Sequence, residues 1–302
     1  MITSPKNPFR KLLIAGLFLT SQVSFAQEEL FKSTVFTPVN SFTSGSEGPG
    51  VDKKGNVYAV NFAKEGTIGV VTPSGVASLF VELPAGSTGN GIRFNKNGDM
   101  YVADYTGHNV LKVDMKTKKI SVFAPIPTTA QPNDIAIDAD GRVYASDPDW
   151  KGLTGRLWRA DPDGKVTLLE GNMETVNGIE VGPGDKTLYV GRGPDVLLYD
   201  LKDGNISNKR TIYKFEDGGM DGMRSDIAGN MYVTRPRKSL VVKISPEGKV
   251  LQEIKLIGNK PSNIAFGGKD GRTAYVTMQD TGNIETFRVD IPGREWKMKW
   301  NK

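Results

Sequence analysis

No cysteine occurs in this 302-residue chain, and histidine occurs once, at His108. The first absence removes disulfides and thiolate metal sites from consideration. A lone histidine puts any chemistry that needs two imidazoles out of reach, and His108, in a Thr-Gly-His-Asn stretch, reads as a rim or turn residue. There is no Gly-x-Ser-x-Gly elbow to present a serine nucleophile. Long apolar runs are scarce as well. The N-terminal one, Leu12 to Leu19, is too short to span a bilayer. With Lys6, Arg10 and Lys11 before it and Ser24-Phe25-Ala26 after it, it has the form of a signal peptide over residues 1–26. Cleavage would deliver residues 27–302 to the periplasm or beyond, with no membrane attachment left, since no cysteine follows to carry a lipid. It would also remove three of the 39 basic residues and none of the 34 acidic ones. The near-neutral remainder has no basic stripe with interleaved aromatics, which excludes a nucleic-acid partner.

What is present is a repeat. Six tyrosines, Tyr58, Tyr101, Tyr144, Tyr189, Tyr232 and Tyr275, stand 43, 43, 45, 43 and 43 residues apart. Each closes one phrase: a short apolar strand, a turn with Gly or Asp, and a second apolar strand, as in NGIRFNKNGDMYVAD and NDIAIDADGRVYASD. Several short strands per unit of about 40–45 residues indicate propeller blades. The expected fold is all-β, a six-bladed propeller with four antiparallel strands per blade, forming one monomeric domain over 27–302. In the fourth repeat the strands read as Asn177 to Val181, Thr187 to Gly191, Val196 to Leu201 and Lys209 to Phe215. The sixth repeat runs out after three strands, near Ile284 to Asp290, and Ser33 to Val39 is expected to supply its outer strand and close the ring. The repeated tyrosine is expected to pack between neighbouring sheets. The tail from Arg294, with its Trp-Lys-Met-Lys-Trp run, has no reading at this level.

Residues in equivalent phase converge on the axis of such a ring. Eleven or twelve positions before each tyrosine stand Glu47, Asn90, Asn133, Asn177, Asp221 and Asn263. Asn-Gly and Asp-Gly pairs also serve ordinary turns, but Glu47 is a poor turn residue and all six copies carry a side-chain oxygen. Two carboxylates on one axis repel unless a cation lies between them. Amide and carboxylate oxygens suit a hard divalent ion, Ca²⁺ ahead of Mg²⁺, Mn²⁺ or Zn²⁺. Three positions after each tyrosine come Asn61, Asp104, Asp147, Arg192, Arg235 and Met278, expected at the channel mouth, where they would orient a hydroxyl-rich or anionic small molecule.

The runs Pro132-Asn133-Asp134 to Asp147-Pro148, Asn177-Gly178 to Val190, Asp221-Gly222-Met223 and Ser262 to Gly268 resemble the gluconolactonase family, which includes regucalcin and diisopropyl-fluorophosphatase. The resemblance extends from Ser46 to Gly293. It implies a metal, usually calcium, on Glu47, Asn177 and Asp221, with Asn133 helping to hold metal or substrate. It also implies acid/base work for Asp221. Asp134 competes for that role, or else holds Asn133 in place. The implied activity is hydrolysis of lactones of the aldonolactone class, with Asn133 and Asn90 orienting substrate oxygens and the loop Asp147 to Trp150 shaping the pocket. A phosphotriesterase of the same fold and a non-catalytic ligand-binding or protein-binding propeller are the alternatives. Two departures stand out. Gln131 occupies the place of an arginine that contacts sugar hydroxyls in some members, and Arg224 stands where a second, structural calcium would want a carboxylate.

Overall fold

The turn that joins the first two strands of a blade explains why the repeated phrase carries an acidic or amide residue and a glycine. Asp52 Oδ1 accepts from the amides of Lys54 and Asn56 at 2.8 and 2.9 Å. Asn95 does the same for Asn97 and Asp99, and Asp226 for Ala228 and Asn230. The chain then reverses through a left-handed residue, Gly55 in the first copy (φ 82°), where a side chain would be strained. β-branched and aromatic residues on either side pair as antiparallel strands.

The computed structural model describes residues 1–2, 28–127 and 131–300. Six four-stranded antiparallel sheets follow one another around an axis, and the protein is a six-bladed β-propeller. Its inner strands are Glu47–Val51, Gly89–Phe94, Ile135–Ile137, Val176–Val181, Met223–Ser225 and Pro261–Gly267. In the fourth blade the remaining strands are Thr187–Arg192, Asp195–Lys202 and Asn205–Lys214, within a few residues of the expected bounds. The signal peptide expected over residues 1–26 lies, but for its first two residues, outside the described residues. Among the described residues no helix is long and apolar enough to cross a membrane.

The core is divided into six clusters, each between two neighbouring blades. Val60 and Ile68 of the first blade meet Ile92 and Val102 of the second, and Phe42 and Val57 of the first meet Ala265 and Ile284 of the sixth. Each fully buried aliphatic or aromatic side chain contributes about 1.5–3 kcal/mol. The repeated tyrosines lie in these seams, all at most 6% exposed. Tyr58 packs edge-on against Phe94 of the next blade, and Tyr232 against Phe266.

The ring closes as expected from the sequence. Thr34–Val35 adds to the outer edge of the sixth sheet, with Thr34 opposite Thr286 and Val35 opposite Glu285. Phe36 then packs edge-on against Tyr275 at 5.0 Å, and Thr37 Oγ1 accepts from the amide of Ile284. Deleting residues 28–37 strips this edge and leaves Asn283–Arg288 as an open strand, so the truncated protein is expected to melt several degrees lower and to associate with itself. Thermal denaturation and size-exclusion chromatography check this; an unchanged melting point would show that closure does not rest on this segment.

Candidate functional site

Each inner strand begins at the axis, and its successive residues form tiers descending the channel. The uppermost tier surrounds a cavity of about 330 Å³ whose wall includes Glu47, Asn90, Asn133, Asn177 and Asp221, from five different blades. Asn61, Tyr105, Trp150 and Gln279 continue the wall toward the mouth. Among the described residues, four oxygens of this wall are buried without a hydrogen-bond partner: Glu47 Oε2, Asn61 Oδ1, Asn133 Oδ1 and Asn177 Oδ1. Unsatisfied buried acceptors each cost about 1–3 kcal/mol, and several facing one small space are what a cation or an ordered ligand would relieve. Burial pushes the Glu47 carboxyl up to about 7, helped by the Asp134 charge. Asp221 rises well above the usual carboxylate range, first through burial, then through the Glu47 and Asp134 charges, with the Asn177 amide opposing. Among the described residues no trio of acidic, histidine or cysteine side chains forms a metal cluster. An ion here would therefore depend on the amide oxygens as much as on the two carboxylates. That donor set fits a hard divalent cation.

The sixth member of the expected ring is displaced. The strand register places Ser262, not Asn263, level with Asn90 and Asn177, because Pro261, Gly89 and Val176 each pair with the residue three past their tyrosine. The hairpin after Phe266 is longer than in the other blades, so counting back from Tyr275 lands one residue too deep. Asn263 lies in the second tier, fully buried, and its Nδ2 donates to Glu47 Oε1 at 2.8 Å and to Asp134 Oδ2 at 3.2 Å. Asp134 shares this tier beneath the cavity. Its carboxylate takes Arg93 Nη2 at 2.9 Å, Arg224 Nη1 at 3.3 Å and the amide of Ile135 at 2.9 Å. Burial raises its pKa, aided by the Glu295 charge, and the Arg93 guanidinium opposes them; each of its oxygens is taken by an arginine, so neither is free. Asp134 is not part of the cavity wall. Glycines make room for both side chains: a Cβ on Gly91 would lie 2.5 Å from Asp134 Oδ1, and one on Gly222 2.0 Å from Asn263 Cγ.

Most of the expected rim also lies elsewhere. Asp147 is fully buried, paired with Arg156 at 2.7 Å and receiving the amide of Gln131 and the indole of Trp158, so it braces the mouth rather than facing it. Asp104 is buried in bonds from Ser87 and Asn109. Arg192 pairs with Asp195, and Arg235 pairs with Asp217 while stacking on Phe215 at 3.6 Å. Only Asn61 of the six reaches the cavity. The reason is direction: second-strand side chains point into the seams between blades, and the residue one position further on, Tyr105 or Gln279, turns to the axis. Tyr105 donates to Gln131 Oε1 at 3.2 Å and meets the Trp150 indole.

The lowest tier was not foreseen. The strand position opposite the repeated tyrosine holds Arg93, Arg224 and Glu180 in three blades, all at most 1% exposed. Three charges at positions otherwise small or apolar were the available signal. The C-terminal tail forms a short helix, Arg294–Trp300, across this end. Arg93 Nε meets Glu295 Oε1 at 3.0 Å, Arg224 Nε lies 4.0 Å from the same oxygen, and Arg294 pairs with Asp185 of the fourth blade. Glu180 is pushed up to about 8 by burial and by Glu295.

Comparison with known proteins places this geometry among relatives. The profile of the SMP-30/Gluconolactonase/LRE-like region matches residues 45–280. Regucalcin of Xenopus laevis is 34% identical over 145 residues, 46% of this chain and 48% of its own. A 6-deoxy-6-sulfogluconolactonase of Pseudomonas putida is 29% identical over 158 residues, 46% of this chain and 54% of its own. The chain thus spans about half the length of these relatives. Among solved structures, a calcium-binding regucalcin from Agrobacterium tumefaciens superposes with a TM-score of 0.76 at 19% identity, covering 89% of this chain and 98% of that one, which is a likeness of fold.

Proposed function

Because the chain belongs to the SMP-30/gluconolactonase/LRE-like family, we propose that the axial cavity is the active site of a divalent-cation-dependent lactonase. The observation that carries the reading is the set of unpartnered buried oxygens on Glu47, Asn133 and Asn177 in one wall with Asp221. In this reading Glu47, Asn177 and Asp221 hold the ion and Asn133 assists. A hard divalent ion bound there, Ca²⁺ first, would neutralise the two carboxylates and polarise the ester carbonyl.

The side chains supply the rest. Asn90 and Asn133 orient the lactone by its oxygens. Asp221 accepts a proton from the attacking water as the new C–O bond forms at the carbonyl carbon. When the ring C–O bond breaks, the same proton passes to the departing oxygen, so a lactone and one water give one hydroxy acid. Tyr105 and Trp150 lay an aromatic face along the mouth. Among the described residues no lysine or arginine lines the cavity, Gln131 replaces a cation, and both rim arginines are paired with their own aspartates. A sulfonate of the kind named for the Pseudomonas relative would find no counter-charge. The proposed substrates are lactones without an added negative charge.

The test is hydrolysis of neutral and anionic aldonolactones, corrected for spontaneous opening, after chelation and after return of Ca²⁺, Mg²⁺, Mn²⁺ or Zn²⁺. Turnover of neutral lactones should vanish with chelator and return with metal. No turnover of any member under any ion would overturn the assignment.

A further inference from the structure

We propose that Asn263 and the C-terminal helix are positioning elements for the cavity, acting through a run of direct contacts that ends on Glu47. The inference rests on Glu47 being an ion-holding residue. Glu47 offers two oxygens, and only one is free. Oε1 is taken by Asn263 Nδ2 at 2.8 Å, and Oε2 is left unpartnered in a side chain that lines the cavity. The other Asn263 proton goes to Asp134 Oδ2, and its own oxygen accepts from the amide of Ile264, so the amide cannot turn over without breaking three bonds. Asp134 is in turn fixed by the Arg93 and Arg224 guanidiniums. The Nε atoms of both guanidiniums lie within ion-pair distance of Glu295 Oε1, at 3.0 and 4.0 Å.

The contacts lie where they are strong. Every member from Glu47 to the two arginines is at most 6% exposed, and the Glu295 side chain is 16% exposed. At such depth, charge-assisted bonds are screened little. Loss of the Glu295 charge leaves two guanidiniums sharing one buried carboxylate. Each guanidinium then keeps only a backbone carbonyl, of Ile92 or Met223, beside Asp134, and Asp134 and Asn263 are held less firmly in place. A helix that merely covered the channel end would need no carboxylate aimed at both arginines.

The experiment is a titration of the full chain with Ca²⁺ by calorimetry and with Tb³⁺ by luminescence, using the nearby Tyr105 and Trp150 as sensitisers. Wild type is compared with Asn263→Ala, Glu295→Gln and, as a control on the exposed side of the same helix, Lys297→Gln. Residues that orient a metal ligand usually change affinity by about 10–100-fold when replaced. Asn263→Ala is expected in that range, Glu295→Gln at about 5-fold or more, and Lys297→Gln at no change. Far-ultraviolet circular dichroism establishes that each variant is folded. If folded Glu295→Gln binds both ions as wild type does and only melts earlier, the helix is a cover and the inference fails. Wild-type affinity in Asn263→Ala would overturn it equally. If the wild type binds neither ion, the lactonase reading falls with it.

Discussion

Replacing Glu47 by glutamine is expected to abolish lactone turnover and yet to raise the melting temperature of the cation-free protein at pH 8. The native Glu47 carboxyl is raised from 4.5 to about 7, mainly by burial. A carboxyl that holds its proton more tightly when folded makes folding less favourable as pH rises from its unfolded pKa to its folded one. Between pH 4.5 and about 7 the cation-free wild type should therefore lose roughly 3 kcal/mol of stability from this group alone. Glutamine carries no charge at any pH and removes that penalty, which at this chain length amounts to a rise of several degrees. The same substitution deletes an anionic donor for the ion. In saturating Ca²⁺ the order reverses: the wild type gains stability by mass action and the variant does not. Calorimetric scans at pH 5 and pH 8, in chelator and in Ca²⁺, display all four states. A lower melting point for Glu47→Gln at pH 8 in chelator would mean that the Glu47 charge is already compensated without an ion.

Asp134→Asn should do the opposite, with its main effect on folding. The change leaves Arg93 and Arg224 facing a neutral amide in a dry interior, and breaking a buried pair from one side costs about 3–5 kcal/mol. A fall in melting temperature of about 10 °C is expected, larger than for any surface substitution. Asp221→Asn is the instructive partner: it should fold at least as well as wild type in chelator and lose turnover by about 10²–10⁴-fold. Thermal scans and kcat measured side by side on the two variants assign the proton acceptor. A stable Asp134→Asn protein that has lost turnover would transfer that role to Asp134.

The periodic tyrosines, the number of blades and the closing strand were legible because each rests on local pattern: alternation, turn residues and a fixed spacing. Five cavity residues were legible for the same reason, since equivalent phase places them at one height. Asn263 was read one tier too high because its hairpin is longer, and a count backwards from Tyr275 absorbs the extra residues silently. Asp104 and Asp147 were read as rim because they are polar and end a strand. Their side chains point along the seam between blades, where serine, arginine and tryptophan partners make a buried carboxylate tolerable. Asp134 joins residues 41 and 90 positions away in sequence, a separation no local pattern reports. The tail failed for a related reason: seven residues of helix carry little periodicity, and their meaning comes from landing on two arginines of other blades.

That landing also decides how traffic through the protein runs. With the far end occupied, among the described residues, by the Arg294–Trp300 helix and its charged partners, the propeller axis reads as a cul-de-sac rather than a corridor. Whatever enters past Trp150 and Tyr105 must back out by the same way. Admission and discharge are therefore governed by one small set of side chains, and a change at the doorway that hastens arrival alters departure as well.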